Sequence, residues 1–212
     1  IAGKDAPLLA RHVVLATGVM PRAVKIPGSD HPKVIGYLDV LSGRVMPGAR
    51  VAIVGAGGIG FDVAEYLVHH PVLDAARFAA DPFHAADTPV SPSLDLPRWM
   101  AEWGVDPTYA SPGGLTKPQA EAPSREVWLL QRSPGKPGAK LGKTTGWIHR
   151  AALKSKSVAM LGGVEYLGVD DDGLRIRVQA KDGSAQEQRL PVDHVVICAG
   201  QEPRRELQAA LE

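Results

Sequence analysis

The sequence contains a single cysteine, Cys198. An internal disulfide, a CxxC redox pair and a cysteine-ligated iron–sulfur or zinc site within these residues are therefore excluded. Charge of either sign is not in excess. The formal net charge of +1 gives no general case for nucleic acid or membrane binding. No apolar run approaches the ~20 residues that a membrane-spanning helix needs. The first residue is Ile1 and no signal peptide follows, so the chain reads as a segment of something longer, with a cytoplasmic location the simplest expectation. The histidines, His12, His31, His69, His70, His84, His149 and His194, are scattered and suggest no metal set. With 212 residues, 44% of them hydrophobic, there is material for one large domain or for one domain and pieces of a second.

Several apolar runs read as buried strands. Val13-Val14-Leu15-Ala16 ends at Thr17-Gly18, and Arg50-Val51-Ala52-Ile53-Val54 enters Gly55-Ala56-Gly57-Gly58-Ile59-Gly60. Ile59, Val63, Ala64, Tyr66 and Leu67 then share one side of a helix that should end near Pro71. From about 71 to 124, closely spaced prolines predict surface loop with short helical turns around Trp99–Trp103. Glu126–Leu130 is the next strand, followed by a Gly/Lys/Pro-rich loop and a helix over Trp147–Lys154. From Val158 the pattern alternates. Val158–Leu161, Val164–Val169, Leu174–Val178 and Gln186–Leu190 read as short strands, with Asp171-Asp172-Gly173 and Lys181-Asp182-Gly183 as hairpin turns. A last strand, Val195–Cys198, runs into Ala199-Gly200.

The glycine-rich turn after Val54 fits the dinucleotide fingerprint. Gly55 permits the tight turn, Gly57 lets backbone approach a pyrophosphate, and Gly60 lets helix pack on strand. The helix start would then offer free N–H groups to the phosphates. An NAD site would place an acid about 20 residues on, where Asp74 stands, but the residues before Asp74 do not resemble a strand. Glu126–Leu130 is the better neighbour. Its end carries Gln131-Arg132, and a guanidinium there suits a 2′-phosphate that a carboxylate would repel. The bland alternative is that Arg132 is a solvated surface charge.

The run Leu141-Gly142-Lys143-Thr144-Thr145-Gly146-Trp147 superficially suggests a triphosphate loop. The position where such a loop needs its first glycine is Pro137, which lacks an N–H, and no clear hydrophobic strand leads in. Lys143 and Thr144, with Lys136 and Lys140 nearby, read instead as donors and charge around the adenosine phosphates, or as part of a solvated basic loop. One phrase also occurs twice. Val13-Val14-Leu15-Ala16-Thr17-Gly18-Val19-Met20-Pro21-Arg22 is echoed by Val195-Val196-Ile197-Cys198-Ala199-Gly200-Gln201-Glu202-Pro203-Arg204. Each copy runs from a strand into a small-residue turn of the kind that lets a cofactor pass close to backbone.

These residues resemble flavoproteins in which an NAD(P)H domain is inserted into an FAD domain. "VVLATGVMPR", "HPKVIGYLDVL", "VAIVGAGGIGFDVAEYL", "LGKTTGWIHR", "DDDGL" and "VVICAGQEPR" are similar to the carboxyl-terminal half of the bacterial NADPH-dependent 2,4-dienoyl-CoA reductase family. The resemblance implies an α/β fold: a Rossmann-like dinucleotide-binding domain with a β-meander, flanked by fragments of an FAD-binding domain. It implies residues 1–44 as an FAD-domain fragment and crossing loop, 45–191 as the NADPH-binding domain with a proline-rich insertion at 71–124, and 192–212 as the return strand. In that family NADPH reduces FAD, and electrons pass through a 4Fe–4S cluster to FMN on a barrel where unsaturated acyl-CoA is reduced. The cluster and FMN are expected only in the parent enzyme, and the FAD domain and FMN barrel would be this segment's partners.

The implied cofactor contacts are Gly55, Ala56, Gly57, Gly58, Ile59 and Gly60 for the pyrophosphate, and Gln131 and Arg132 for the 2′-phosphate. Lys143 and Thr144 would lie near the phosphates, and Thr17, Gly18, Ala199 and Gly200 near the flavin. No general acid, base or metal ligand is expected, and the isolated segment should not reduce dienoyl-CoA. A different class of function is a structural nucleotide-binding module, as in related amine dehydrogenases, without NADPH oxidation. A disulfide reductase domain fails for want of a second cysteine.

Overall fold

Three apolar runs far apart in the sequence, 50–54, 126–130 and 194–197, lie side by side in one parallel sheet. The computed structural model describes residues 10–69, 95–179 and 183–208. Its elements are β1 (Val19–Pro21), β2 (Val34–Gly36), α1 (Tyr37–Leu41), β3 (Arg50–Val54), α2 (Gly58–His69), α3 (Leu96–Trp103), β4 (Glu126–Leu130), α4 (Gly146–Ser155), β5 (Ala159–Leu161), β6 (Val164–Asp170), β7 (Gly173–Gln179), β8 (Ala185–Leu190), β9 (His194–Ile197) and β10 (Gln201–Pro203).

The chain divides into two units: Ala23–Ala199, and a smaller one formed by Ile1–Arg22 with Gly200–Glu212. In the larger unit the sheet order is β2-β9-β3-β4-β5, all parallel, with an antiparallel meander β6-β7-β8 beside it. Successive side chains of a strand point to opposite faces, and here both faces are covered. Val51 and Ile53 of β3, Val127 and Leu129 of β4, and Val196 with Cys198 pack with Phe61, Val63, Ala64 and Leu67 of α2 and Leu153 of α4. The alternate residues, Ala52, Val54, Leu130 and Val195, pack with Val164, Val169, Leu174, Ile176 and Leu190 of the meander. That double burial is why these strands read as unbroken apolar runs rather than as alternation. The α/β architecture with a Rossmann-like sheet and a β-meander is as the sequence implied.

Arg125 is 4% exposed. Its guanidinium donates to the carbonyls of Pro47, Gly48 and Leu67, tying the approach to β3 to the last turn of α2. Burial lowers its pKa to about 10. Helix α3 begins where Asp95 accepts a hydrogen bond from the N–H of Arg98 and ends at Gly104, whose φ of 69° a residue with Cβ adopts poorly. It is anchored by Arg98 on Glu121 and by an ion pair of Glu102 with Lys156, Nζ to Oε1 2.7 Å, with side chains 12% and 3% exposed.

Val13–Ala16 is not a buried strand: it pairs with nothing among the described residues, and Val13 and Val14 are 63% and 87% exposed. Apolar character alone does not make a strand where no neighbour supplies hydrogen bonds. The strand expected at Val158–Leu161 is Ala159–Leu161, and it pairs parallel with β4 in the central sheet, apart from the meander. Strand β2 and helix α1 lie where no separate element was expected, in a stretch too short to show a period. Asp74, the first part of the proline-rich segment and most of the Lys181-Asp182-Gly183 turn lie outside the described residues.

In the smaller unit the two copies of the repeated phrase pair with each other. Strands β1 and β10 are antiparallel, Val19 opposite Pro203 and Pro21 opposite Gln201. The hydrogen bonds are reciprocal: the N–H of Arg22 donates to Gly200 O at 3.2 Å, and that of Arg204 to Gly18 O at 3.0 Å. Thr17 Oγ1 closes the pair by donating to the Arg204 carbonyl.

Candidate dinucleotide-binding site

The carboxyl ends of β3, β4 and β9 meet where ligands bind in open α/β sheets. Val54 stands opposite Leu130 on one side and Ile197 on the other, so the turns leaving all three strands are adjacent. The Gly55 N–H donates to Leu130 O at 2.8 Å, and that of Cys198 to Val54 O at 2.8 Å.

The fingerprint glycines divide by what a side chain would meet. Gly55 has φ +114°, and a Cβ there would lie 2.8 Å from the Cys198 carbonyl oxygen and 3.0 Å from Ala199 Cα. Gly60 faces inward, its would-be Cβ 1.8 Å from the Gly55 oxygen. At Gly57 and Gly58 a Cβ would meet nothing within 4 Å. Two glycines thus fit the turn and helix together, while two leave bare backbone at the start of α2, between Ala56 and Ile59. This open cradle, with helix N–H groups beside it, fits a dinucleotide pyrophosphate.

The residues after β4 flank the cradle. Arg132 is exposed and makes no hydrogen bond or ion pair among the described residues. It is near enough to Tyr166 to oppose, by its charge, the upward shift that burial imposes on that phenol. The Gln131 side chain turns back, its Nε2 donating to Ser133 O at 3.0 Å. Lys143 and Thr144 lie exposed in a turn before α4, where the Thr145 and Gly146 N–H groups both donate to Gly142 O. The loop preceding them is seated on α2: Gly138 abuts the Phe61 ring and accepts from Arg150 at 2.8 Å.

Thr17, Gly18 and Gly200 fall in the smaller unit, with φ of +83° at Gly18 and +91° at Gly200. Ala199 belongs to the larger unit and stands against Gly55. That contact places Ala199, the first residue of the second copy's small-residue turn, beside the fingerprint turn, which spacing alone did not reveal. Gly162-Gly163 adjoins the Gln131–Ser133 segment: the Gly163 N–H donates to Ser133 O, and a Gly pair between two strands is the sequence signal of such close backbone approach. Burial pushes the Cys198 thiol up to about 12, far from a reactive thiolate. Among the described residues no group of His, Cys, Asp or Glu is placed to hold a metal ion, and no helix is long and apolar enough to cross a membrane.

The fold recurs in solved structures. A 2-naphthoyl-CoA reductase superposes with a TM-score of 0.59 at 19% identity, covering 93% of this chain and 21% of that one. A 6-hydroxypseudooxynicotine amine oxidase from Pseudomonas geniculata N1 does so with a TM-score of 0.58 at 18% identity, covering 95% and 23%. Among curated proteins, a metal reductase from Desulforamulus reducens is 26% identical over 200 residues, 94% of this chain but 25% of its own length. The chain thus spans about a quarter or less of these relatives. Residues 2–212 match the family pattern of the pyridine nucleotide-disulphide oxidoreductases, for which FAD and NAD(P) are the implied cofactors. With that match running through the fingerprint turn and the whole sheet around it, the chain belongs to the pyridine nucleotide-disulphide oxidoreductase family.

Proposed function

We propose that this chain binds NADPH and presents it to FAD within a 2,4-dienoyl-CoA reductase-like flavoenzyme that reduces unsaturated fatty acyl-CoA. When bound, the nicotinamide supplies a hydride and the flavin accepts it. The chain's own part is to hold and orient. Backbone at Gly57 and Gly58 lies against the pyrophosphate, Gly55 and Gly60 fix the turn, and Ala56 and Ile59 continue it. Arg132 takes the 2′-phosphate through charge-assisted hydrogen bonds, and Lys143 and Thr144 add charge and donors nearby. Thr17, Gly18, Ala199 and Gly200 are the residues assigned to the flavin. The partners are the rest of the FAD domain and, in the cytoplasmic parent enzyme, a barrel holding FMN with a 4Fe–4S cluster. The exposed run Val13–Leu15 suits a strand whose neighbours belong to that FAD domain.

The observation that carries this reading is that Arg132, exposed just after the strand beside the fingerprint strand, makes no hydrogen bond or ion pair among the described residues. The relative named as a metal reductase supports a reductive role in general. Titration calorimetry on the full chain tests it. NADPH should bind more tightly than NADH, and Arg132→Ala should weaken NADPH by about 1.5–3 kcal/mol, ~10–150-fold, while NADH changes little. Equal losses for both cofactors would refute the assignment. Binding of neither would favour a structural module of the amine dehydrogenase type.

A further inference from the structure

Arg132 sits in a segment fastened from three directions. On the outer side, Gln131 N–H donates to Leu161 O at 2.9 Å, Val164 N–H to Gln131 O at 3.0 Å, and Gly163 N–H to Ser133 O at 2.9 Å. From within, the Gln131 carboxamide donates to Ser133 O at 3.0 Å and reaches Gly135 O at 3.4 Å. From below, Gly162 leaves room for the loop: a Cβ there would stand 1.9 Å from Gly135 O, 3.1 Å from Gly135 C and 3.4 Å from Gln131 Nε2. Gly163 has φ +71°, so the strip that receives these bonds is itself bent in a way glycine permits.

A guanidinium grips a phosphate well only when its backbone is held, because each added degree of freedom is lost on binding. Both neighbours of Arg132 are pinned, while its own side chain is unpaired among the described residues. We infer that Gln131 and Gly162 act as positioning residues: the Gln131 carboxamide and the empty space at Gly162 brace the loop that carries Arg132 and so set the discrimination of NADPH from NADH. This rests on Arg132 being the 2′-phosphate ligand. Gln131 acts here through its neighbour, by shaping the turn with its amide donors.

The test measures NADPH and NADH affinities for the full chain and for Gly162→Ala, Gln131→Met, Arg132→Ala and the pair Gly162→Ala with Arg132→Ala. Gln131→Met keeps volume and removes the donors, so it provides a second arm should Gly162→Ala fail to fold. Far-UV circular dichroism and Tm establish folding for each. The brace predicts that either single variant lowers NADPH affinity about tenfold while NADH stays within about twofold. In the Arg132→Ala background, Gly162→Ala should leave both affinities unchanged. If Arg132→Ala is selective but the brace variants keep the wild-type ratio, the positioning role is wrong and the Arg132 assignment stands. If Arg132→Ala shows no selectivity, both fall. A loss of affinity in Gly162→Ala or Gln131→Met that is equal for the two cofactors also overturns the brace, since a merely structural role would produce that pattern.

Discussion

Adding one methyl group at Gly60 should destabilise the protein, while the same change two residues earlier at Gly58 should not. Ala ordinarily gains about 0.8–1.0 kcal/mol over Gly in a helix, so propensity favours both substitutions. Space separates them. At Gly58 the new carbon meets nothing within 4 Å. At Gly60 it lies 1.8 Å from the Gly55 oxygen, 3.0 Å from the Gly55 carbonyl carbon and 3.4 Å from Leu129 Cδ1. The approach to the oxygen is short of ordinary contact by roughly 1.5 Å. The obstacle cannot swing aside: the Gly55 N–H is bonded to Leu130 O, and the Cys198 carbonyl lies against its other side. The first turn of α2 must lift from β3, and overpacking of this kind costs about 1–3 kcal/mol, occasionally more. Set against the propensity gain, a net loss of about 1–2 kcal/mol remains, which lowers the Tm of a chain this size by roughly 2–8 °C. Differential scanning calorimetry on wild type, Gly58→Ala and Gly60→Ala reads this directly. Gly58→Ala should match or exceed wild type. Similar Tm shifts for the two variants would refute the division of the fingerprint into packing and open glycines.

Four other outcomes follow from the same geometry. Gly57→Val should weaken NADPH and NADH alike in calorimetry, because it fills the open cradle. Glu102→Leu should cost about 3–5 kcal/mol in urea unfolding by leaving Lys156 buried without its partner, and Glu102→Leu with Lys156→Met should recover most of that loss. Burial, aided by Lys156 and opposed by Glu102, Glu65 and Glu121, holds the His69 pKa below its ordinary value. Its folded form therefore resists protonation, so its contribution is complete above about pH 6.5 and is lost as pH falls below it. His194, also lowered by burial, adds a parallel slope. The stability loss over that window should be smaller in His69→Gln, and an unchanged slope would contradict the assignment. Cys198, with its thiol pushed up to about 12, should resist alkylation at pH 8 in the native protein and react once urea unfolds it.

What the sequence revealed was local. The run Val51–Val54 into Gly55–Gly60 carries strand, turn and helix within a few residues, and burial on both faces made its apolar character unmistakable. Glu126–Leu130 was recognisable as its neighbour for the same reason, despite the residues between them. Pairings that span the chain were not legible. β2 joins β9 from about 160 positions away, and the two Pro-Arg phrases meet as β1 and β10 although nothing in their spacing says so. Val13–Ala16 misled because a strand's composition was present without a strand's partners among the described residues. Gly162 was silent for another reason: its importance is the absence of a side chain next to Gly135, a contact across a loop.

The central claim is most directly tested by a crystal structure of this chain grown with NADPH. A site built as described requires the pyrophosphate against the Gly57–Gly58 backbone at the start of α2, with the 2′-phosphate about 2.7–2.9 Å from the Arg132 guanidinium. Cofactor bound elsewhere on the sheet, or seated in the cradle with Arg132 turned away from it, would contradict the assignment.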